Sequence, residues 1–311
     1  MGITAEDRKR VKGEGFLSNR DGVHFSGRIL TENGVLTAQQ VENLSEAAQK
    51  FGDGTLAFTS RLTVELPGIA FEDIEPFKAH VAKAGLETGG TGAKVRPVVA
   101  CKGTVCVFGL IDTQALAKRI HDRFYEGYRA VTLPHKFKIA VGGCPNNCVK
   151  PDLNDLGITG QRVPMYDPAK CRACKVCGVS TECPMGAAVL KENGLALDPA
   201  QCNACGRCVG KCPFGAVQGS ESTYLITIGG RWGKQVRHGS PLQRRLNEQQ
   251  AMDMIEKCIL LFKRDGLSGE RFGSMIDRIG LQKVEALLYT DELLAQKDQI
   301  LGIETQGGAT C

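Results

Sequence analysis

Leu133-Pro134-His135-Lys136-Phe137-Lys138-Ile139-Ala140-Val141 runs directly into Gly142-Gly143-Cys144-Pro145-Asn146-Asn147-Cys148, and this stretch decides how the rest of the chain is read. Phe137, Ile139 and Val141 recur at every second position, as in a strand, which places Lys136 and Lys138 together on the opposite face. The strand ends in two glycines and a pair of cysteines bracketing Pro-Asn-Asn, a turn in which backbone can approach a bulky inorganic group. Working upstream, a short apolar strand from Val95 ends at Cys101, and a glycine-punctuated loop leads to Cys106. Four thiols arranged as two pairs can close a 4Fe-4S cubane. The competing reading, four buried free cysteines, fits poorly with glycine-flanked loops.

Downstream the cysteines become dense: the chain has 14, ten of them between Cys144 and Cys212. Cys202, Cys205, Cys208 and Cys212-Pro213 form a C-x2-C-x2-C-x3-C-P run. In such a run three thiolates in one loop hold three irons and the fourth serves the other cluster of a pair. Cys171, Cys174, Cys177 and Cys183-Pro184 repeat it with a longer interval before the fourth cysteine. The crossing rule assigns Cys171, Cys174, Cys177 and Cys212 to one cluster, and Cys202, Cys205, Cys208 and Cys183 to the other. Zinc knuckles would need C-x2-C pairs separated by a longer loop and have no use for the third cysteine or the proline. Residues 166–218 therefore read as a separate module that resembles a two-cluster bacterial ferredoxin, implying electron transfer.

Residues 13–88 read as a small α/β unit following an N-terminal arm, 1–12. Thr37 and Gln40 make a capping box for a helix whose apolar face is Val41, Leu44, Ala48 and Phe51. Leu56, Phe58, Leu62, Val64 and Leu66 alternate as a strand or strand pair, and Ile74, Phe77 and Val81 stripe a second helix closed by Gly85. Residues 89–165 and 219–311 form the remaining domain. In it Asp112 opens a helix with Leu116, Ile120 and Phe124 inward, Tyr224 to Ile228 is a strand, and 242–264 is a helix bearing Met252, Ile255, Ile259 and Phe262. Cys258 belongs to that helix's core face and Cys311 ends a loose tail. His24, His80, His121, His135 and His238 show no ligand-like spacing.

The 311 residues are 42% apolar and 23% charged, with a formal net charge of +5. That composition excludes a disordered chain, and no apolar run reaches the roughly 18 to 20 residues of a membrane helix. The charged N-terminus lacks a signal core, which points to a cytoplasmic protein whose cysteines bind metal rather than form disulfides. A nucleic-acid binder would need a basic stripe with interleaved aromatics, which the cysteine module lacks.

Leu133-Pro134-His135-Lys136-Phe137-Lys138 followed by Gly-Gly-Cys-Pro-Asn-Asn-Cys resembles the sulfite and nitrite reductase family, and within it the C (catalytic) subunits of anaerobic sulfite reductases, which also carry an inserted ferredoxin module. The resemblance implies an α+β fold: a ferredoxin-like α/β half unit, a siroheme and 4Fe-4S domain, and the inserted 2x4Fe-4S ferredoxin domain. It implies siroheme and three 4Fe-4S clusters, with Cys148 bridging cluster and haem iron, and Cys101, Cys106 and Cys144 as the other ligands of that cluster. Arg61 matches the arginine of a Thr-x-Arg-Gln element, with Leu62 where Gln is usual. Arg96 matches an arginine before the first cysteine pair, and Lys136 and Lys138 match the lysines of Leu-Pro-x-Lys-x-Lys. By the resemblance these four bind the oxyanion, and the lysines relay protons. Gly142, Gly143 and Asn146 line the cofactor, and Gly229-Gly230-Arg231 matches a siroheme-contacting element, with Lys234 and Arg237 as weaker carboxylate partners. The implied activity is six-electron reduction of sulfite to sulfide, with nitrite reduction or a non-catalytic electron-transfer subunit as alternatives. Larger members contain the α/β unit twice, so one copy implies a homodimer or a complex with partner subunits, served by an electron donor protein.

Overall fold

The structure, a computed structural model, describes residues 3–305. Residues 1–12, expected as an arm, instead carry helix α1 (Ala5–Gly13). Thr4 accepts from the Asp7 amide at 3.1 Å while the Asp7 carboxylate accepts from the Thr4 amide at 3.1 Å, and fully buried Val11 pins the helix to the unit that follows. A nearly all-charged stretch with a single apolar anchor has no periodicity to reveal it.

That unit is an antiparallel sheet in the order β1-β2-β4-β3, made of β1 (Phe16–Ser18), β2 (His24–Ile29), β3 (Ala57–Phe58) and β4 (Val64–Ala70). Helices α2 (Ala38–Phe51) and α3 (Ile74–Ala82) share its core, in which Phe16, Phe25 and Phe77 are wholly buried. The Thr37/Gln40 capping box forms as expected. The inward face of α2 is Leu44, Ala47, Ala48 and Phe51, and Val41 lies outside it. Phe58 is 80% exposed on the edge strand, and Leu62 sits at φ +59° in the turn between β3 and β4, so neither belongs to the core.

The larger domain is built on a mixed sheet. β5 (Val99–Ala100), β6 (Ile139–Gly142) and β7 (Leu156–Gln161) run parallel, and β12 (Thr223–Ile228) and β13 (Ser240–Pro241) continue antiparallel from β7. Helix α4 (Thr113–Ile120), capped by Asp112 and continued by a π-helical turn over His121–Glu126, supplies buried Leu116, Ile120 and Phe124. The helix expected over 242–264 is α6 (Glu248–Asp265). Leu242 and Leu246 remain extended because their amides bond to the Ile226 and Tyr224 carbonyls at 2.8 and 3.0 Å. Short helices α7 (Phe272–Ile279), α8 (Leu281–Leu288), α9 (Glu292–Ala295) and α10 (Lys297–Leu301) wrap α6, which is why even Glu256, Lys257 and Lys263 are buried. Glu256 is satisfied by Tyr128 Oη at 2.5 Å, by Lys297 Nζ at 2.7 Å and by Arg123.

The cysteine module hangs from the tip of the β7/β12 hairpin. The β7/β12 ladder is unbroken from Leu156↔Ile228 to Gln161↔Thr223, and a second pair, β8 (Pro164–Tyr166) with β11 (Val217–Gly219), then closes the neck. Inside lie α5 (Gly178–Glu182) and the hairpin of β9 (Ala188–Lys191) and β10 (Gly194–Leu197). The backbone repeats as the sequence does: Ala173 and Ala204, each between the first two cysteines of a run, adopt φ +44° and +55°, and Gly186 and Gly215, after each Cys-Pro, adopt +63° and +68°. Alanine rarely enters this left-handed region, so the matching pair marks two copies of one loop.

Candidate redox site

The four body cysteines come together at the ends of β5 and β6. Cys101 follows β5, and its Sγ accepts the Gly143 amide at 3.1 Å. Burial raises the Cys144 thiol pKa; the Asn146 amide opposes this and the charges of Cys101, Cys148 and Cys106 add to it, so the four thiols share one neighbourhood. Close approach depends on glycine: a Cβ on Gly143 would stand 2.9 Å from the Gly103 Cα, and one on Gly142 would stand 2.9 Å from Pro151 Cγ. Asn147 turns the loop at φ +58° and ties it down by donating to Asp152 Oδ1 at 2.7 Å. Cys148 and Asn146 are exposed at the rim.

In the module, Cys183 leaves its own run and lines a small cavity with Cys202, Cys205 and Cys208. Burial, with these three neighbours adding charge, pushes the Cys208 thiol up to about 11. On the other side, a Cβ on Gly178 would meet the Lys211 carbonyl oxygen at 2.9 Å, which brings Cys212 beside Cys177. The fourth cysteine of each run therefore lies on the side of the other run. Among the described residues no three His, Cys, Asp or Glu side chains converge as ligands of a single ion do. Thiolates around a cubane stand further apart, because each caps a different iron.

A cluster of cations gathers where β5 and β6 begin, at the other end of these strands from the body cysteines. Lys136 and Lys138 flank fully buried Phe137, so they share the face expected of them. Burial first, then Arg61 and Lys136, lowers the Lys138 ammonium to about 8. Arg61 crosses from the β3–β4 turn into the larger domain, donating to Asn154 Oδ1 at 2.8 Å and to the Pro97 and Ile139 carbonyls at 2.7 and 3.2 Å. Burial lowers it to about 10. Arg96 is buried and donates to the Gly92 and Gly90 carbonyls.

Two members, Asp155 and Arg271, had no mark in the sequence, and a third, His135, showed no ligand-like spacing there. Asp155, fully buried, accepts the Lys138 amide at 2.9 Å and clamps Arg271 with both carboxylate oxygens at 2.9 and 3.0 Å. Burial pushes its carboxyl above the ordinary value while Arg271 pulls the other way. His135, half-buried, accepts the Lys136 amide on Nδ1 at 2.8 Å and is held down to about 4 by burial and by the charges of Arg271, Lys136, Arg96 and Lys138, so it stays neutral. No local pattern marks Asp155 or Arg271, which meet across 116 positions of chain.

Gly229-Gly230-Arg231 follows β12 and packs on the backbone of residues 152–155. The Gly229 amide donates to the Asp155 carbonyl at 2.8 Å, and a Cβ on Gly230 would collide with the Asp152 and Asn154 carbonyls. Arg231 donates to Ser274 Oγ and Gln235 Oε1 at 3.0 and 2.8 Å. Arg237, expected to face a carboxylate-bearing ligand, is instead engaged by Asp277 at 2.8 Å and by the Gly229 carbonyl at 3.0 Å; Lys234 lies exposed. The buried Nε atoms of Arg61, Arg231 and Arg271 have no partner in the structure. A buried donor of this kind is costly unless an acceptor meets it, so the donor set fits a polyanionic group.

Fold and cysteine arrangement together define an iron–sulfur oxidoreductase. The model of the nitrite and sulphite reductase 4Fe-4S domain matches residues 91–297, and that of the nitrite/sulfite reductase ferredoxin-like half domain matches residues 18–84. The chain is 30% identical over 272 residues to the coenzyme F420-dependent sulfite reductase of Methanocaldococcus jannaschii, covering 86% of this chain and 43% of that protein. It is 27% identical over 300 residues to the C subunit of the anaerobic sulfite reductase of Salmonella typhimurium, covering 88% of this chain and 85% of that relative. Its fold is similar to a crystal structure of dissimilatory sulfite reductase I, at a TM-score of 0.70 and 21% identity over 87% of this chain and 70% of that one. The chain belongs to the nitrite and sulphite reductase family, whose 4Fe-4S domain implies siroheme and a 4Fe-4S cluster. The chain thus spans less than half the length of the Methanocaldococcus relative. Among the described residues no helix is long and apolar enough to cross a membrane.

Proposed function

We propose that the protein reduces sulfite to sulfide by six electrons, using siroheme and three 4Fe-4S clusters, two of them in its own module at 166–218. The observation that carries this reading is that one sheet gathers the quartet Cys101, Cys106, Cys144 and Cys148 at the end of β5 and β6, and a cation cluster with Asp155 as its buried counter-charge where these strands begin. In this reading residues 89–165 and 219–311 would hold siroheme and the first cluster, with Cys101, Cys106, Cys144 and Cys148 as the thiolates that would bind them. Cys171, Cys174, Cys177 and Cys212 hold a second cluster, and Cys183, Cys202, Cys205 and Cys208 a third. Siroheme, when bound, would supply the redox chemistry that the side chains lack.

The chain's own groups supply charge, shape and protons. Siroheme carries eight carboxylates, and the unpartnered Nε atoms of Arg61, Arg231 and Arg271 are donors for such groups. Gly142, Gly143, Gly229 and Gly230 let neighbouring chain segments pack closely around the site, and Asn146 steadies the Cys144 thiolate through its amide. Arg61 and Arg96 are immobilised by carbonyls, so they act on the anion as fixed charge; Lys136 and Lys138 remain as proton-bearing groups. Hydrogensulfite, six electrons and six protons give HS⁻ and three waters, and a lysine near neutral pKa can donate and be recharged from solvent. A homodimer or a complex with partner subunits completes the site, and a separate protein donates the electrons.

The test is an absorption spectrum with iron and sulfide counts on anaerobically purified protein from a siroheme-producing host, followed by turnover with sulfite and with nitrite. Siroheme with about twelve irons per chain and preferential sulfite turnover support the reading. Preferential nitrite turnover moves the substrate to nitrite, and absence of tetrapyrrole leaves an electron-transfer subunit.

A further inference from the structure

The two halves of the cysteine module are copies of one loop, but they face different surroundings. The second run lies against the body. The Arg162 amide donates to the Ala204 carbonyl at 2.8 Å, Gln161 Nε2 donates to the Asn203 carbonyl at 3.2 Å, and a Cβ on Gly206 would touch the Arg162 side chain at 3.0 Å. Arg207 stacks over Phe108 at 5.6 Å, two residues beyond Cys106. A short path therefore leads from Cys205 through Arg162 and β7 to Gly160, where a Cβ would meet the Gly143 carbonyl oxygen at 2.7 Å, next to Cys144.

Aligning the runs on their cysteines pairs Gln201 with Lys170, Asn203 with Arg172, Gly206 with Lys175 and Arg207 with Val176. The aligned positions that dock on the body, Asn203, Gly206 and Arg207, are thus neutral or small in the second run apart from Arg207, and Gln201 beside them is neutral and exposed. Their counterparts in the first run are three cations around a valine. Lys170, Arg172 and Lys175 are all exposed, and Val176 is 80% exposed. Lys170 pairs with Asp167 at 3.3 Å, while Arg172 and Lys175 face solvent. The first-run cysteines are themselves only partly covered. An apolar centre with a cationic rim over a half-covered redox centre has the anatomy of a transient docking face, and its charge selects an acidic partner by steering encounter.

We infer that the face formed by Lys170, Arg172, Lys175 and Val176 docks an acidic one-electron carrier protein, which delivers electrons to the cluster of Cys171, Cys174, Cys177 and Cys212. That cluster is the entry, and the one held by Cys183, Cys202, Cys205 and Cys208 passes electrons to the body. The inference rests on the three-cluster reading above. In each encounter one electron leaves the carrier's reduced centre and reduces an oxidised cluster; no bond forms or breaks.

The test is stopped-flow reduction of the oxidised holoenzyme by a reduced acidic plant-type ferredoxin, with dithionite as a small-molecule control. R172Q/K175Q is compared with K83Q/K283Q, which removes the same net charge at exposed positions elsewhere. The expected result is a wild-type rate that falls as salt is raised. R172Q/K175Q should be about ten-fold slower at low salt with a flattened salt dependence, on the scale of electrostatic steering, and K83Q/K283Q should match wild type. All three should react equally with dithionite. Equal ferredoxin rates for the two variants, or a wild-type rate indifferent to salt, overturns the docking face. If R172Q/K175Q loses iron, the wild-type salt dependence decides alone. An iron count near eight or below contradicts the three-cluster reading independently of the kinetics, whereas a full count with salt-insensitive kinetics removes only the docking face.

Discussion

Lys138 offers the sharpest prediction. Its ammonium is lowered from 10.5 to about 8, by burial first and then by Arg61 and Lys136. At about 1.4 kcal/mol per pH unit this is roughly 3 kcal/mol of disfavoured charge, and about half that once solvent at its exposed end is allowed for. An anion bound nearby recovers that energy, and it binds the protonated site only. Anion affinity is therefore constant below about pH 8 and falls about ten-fold per pH unit above it, the slope for loss of one proton. Stability moves the other way. Between about 8 and 10.5 the unfolded chain holds this proton more tightly than the folded one, so the Lys138 contribution to stability rises with pH while binding weakens. The assay is spectral titration of the oxidised holoenzyme with nitrite, which keeps one charge over this range, from about pH 6 to 10. Lys138→Arg, permanently charged, should move the break beyond the range. A wild-type affinity flat to pH 10, or a Lys138→Arg profile that breaks where wild type does, refutes the assignment.

Other expectations follow from the same geometry. Lys136→Ala should retain haem and all clusters by spectrum and iron count yet lose most turnover; unchanged turnover removes Lys136 from the chemistry. Asp155→Asn exchanges a bidentate acceptor for a group that turns one N–H toward Arg271, so it should cost about 3–5 kcal/mol, the range for breaking a buried ion pair, read as a lower denaturant midpoint by circular dichroism. A midpoint within experimental error of wild type would mean that Arg271 needs no counter-charge. Cys183→Ala should remove the cluster of Cys202, Cys205 and Cys208 and spare that of Cys171, Cys174 and Cys177, distinguishable by electron paramagnetic resonance of reduced protein; the reverse pattern contradicts the exchange of fourth cysteines.

Features with a local period or a local spacing were legible from residues alone. The capping box at Thr37, the strand through Phe137, Ile139 and Val141, and the doubled cysteine run each depend on residues a few positions apart, or on a repeat. What escaped depends on contacts made by the finished fold. Helix α1 has one buried residue among charges, and Asp155 and Arg271 lie in unremarkable polar stretches that only the sheet brings together. Arg61 was singled out by its motif, but nothing in the sequence showed that its guanidinium reaches Asn154, 93 positions on. Phe58 and Leu62 show the opposite failure: alternation was read through a turn whose positive φ reverses the chain. Apolar residues beside a turn follow its geometry rather than the strand's period.

The hairpin from which the module hangs has a consequence for how such a chain can be altered. Strands β7 and β12 complete their ladder before the neck of β8 and β11 begins, so a short turn joining Gln161 to Thr223 would close the parent sheet without breaking one of its paired bonds. The module is connected by two strands at one place, and its remaining attachments are the side-by-side contacts at Arg162, Gln161 and Phe108. Module and parent domain are therefore separable units of heredity: the module can be gained, lost or exchanged in one event, with those contacts renegotiated.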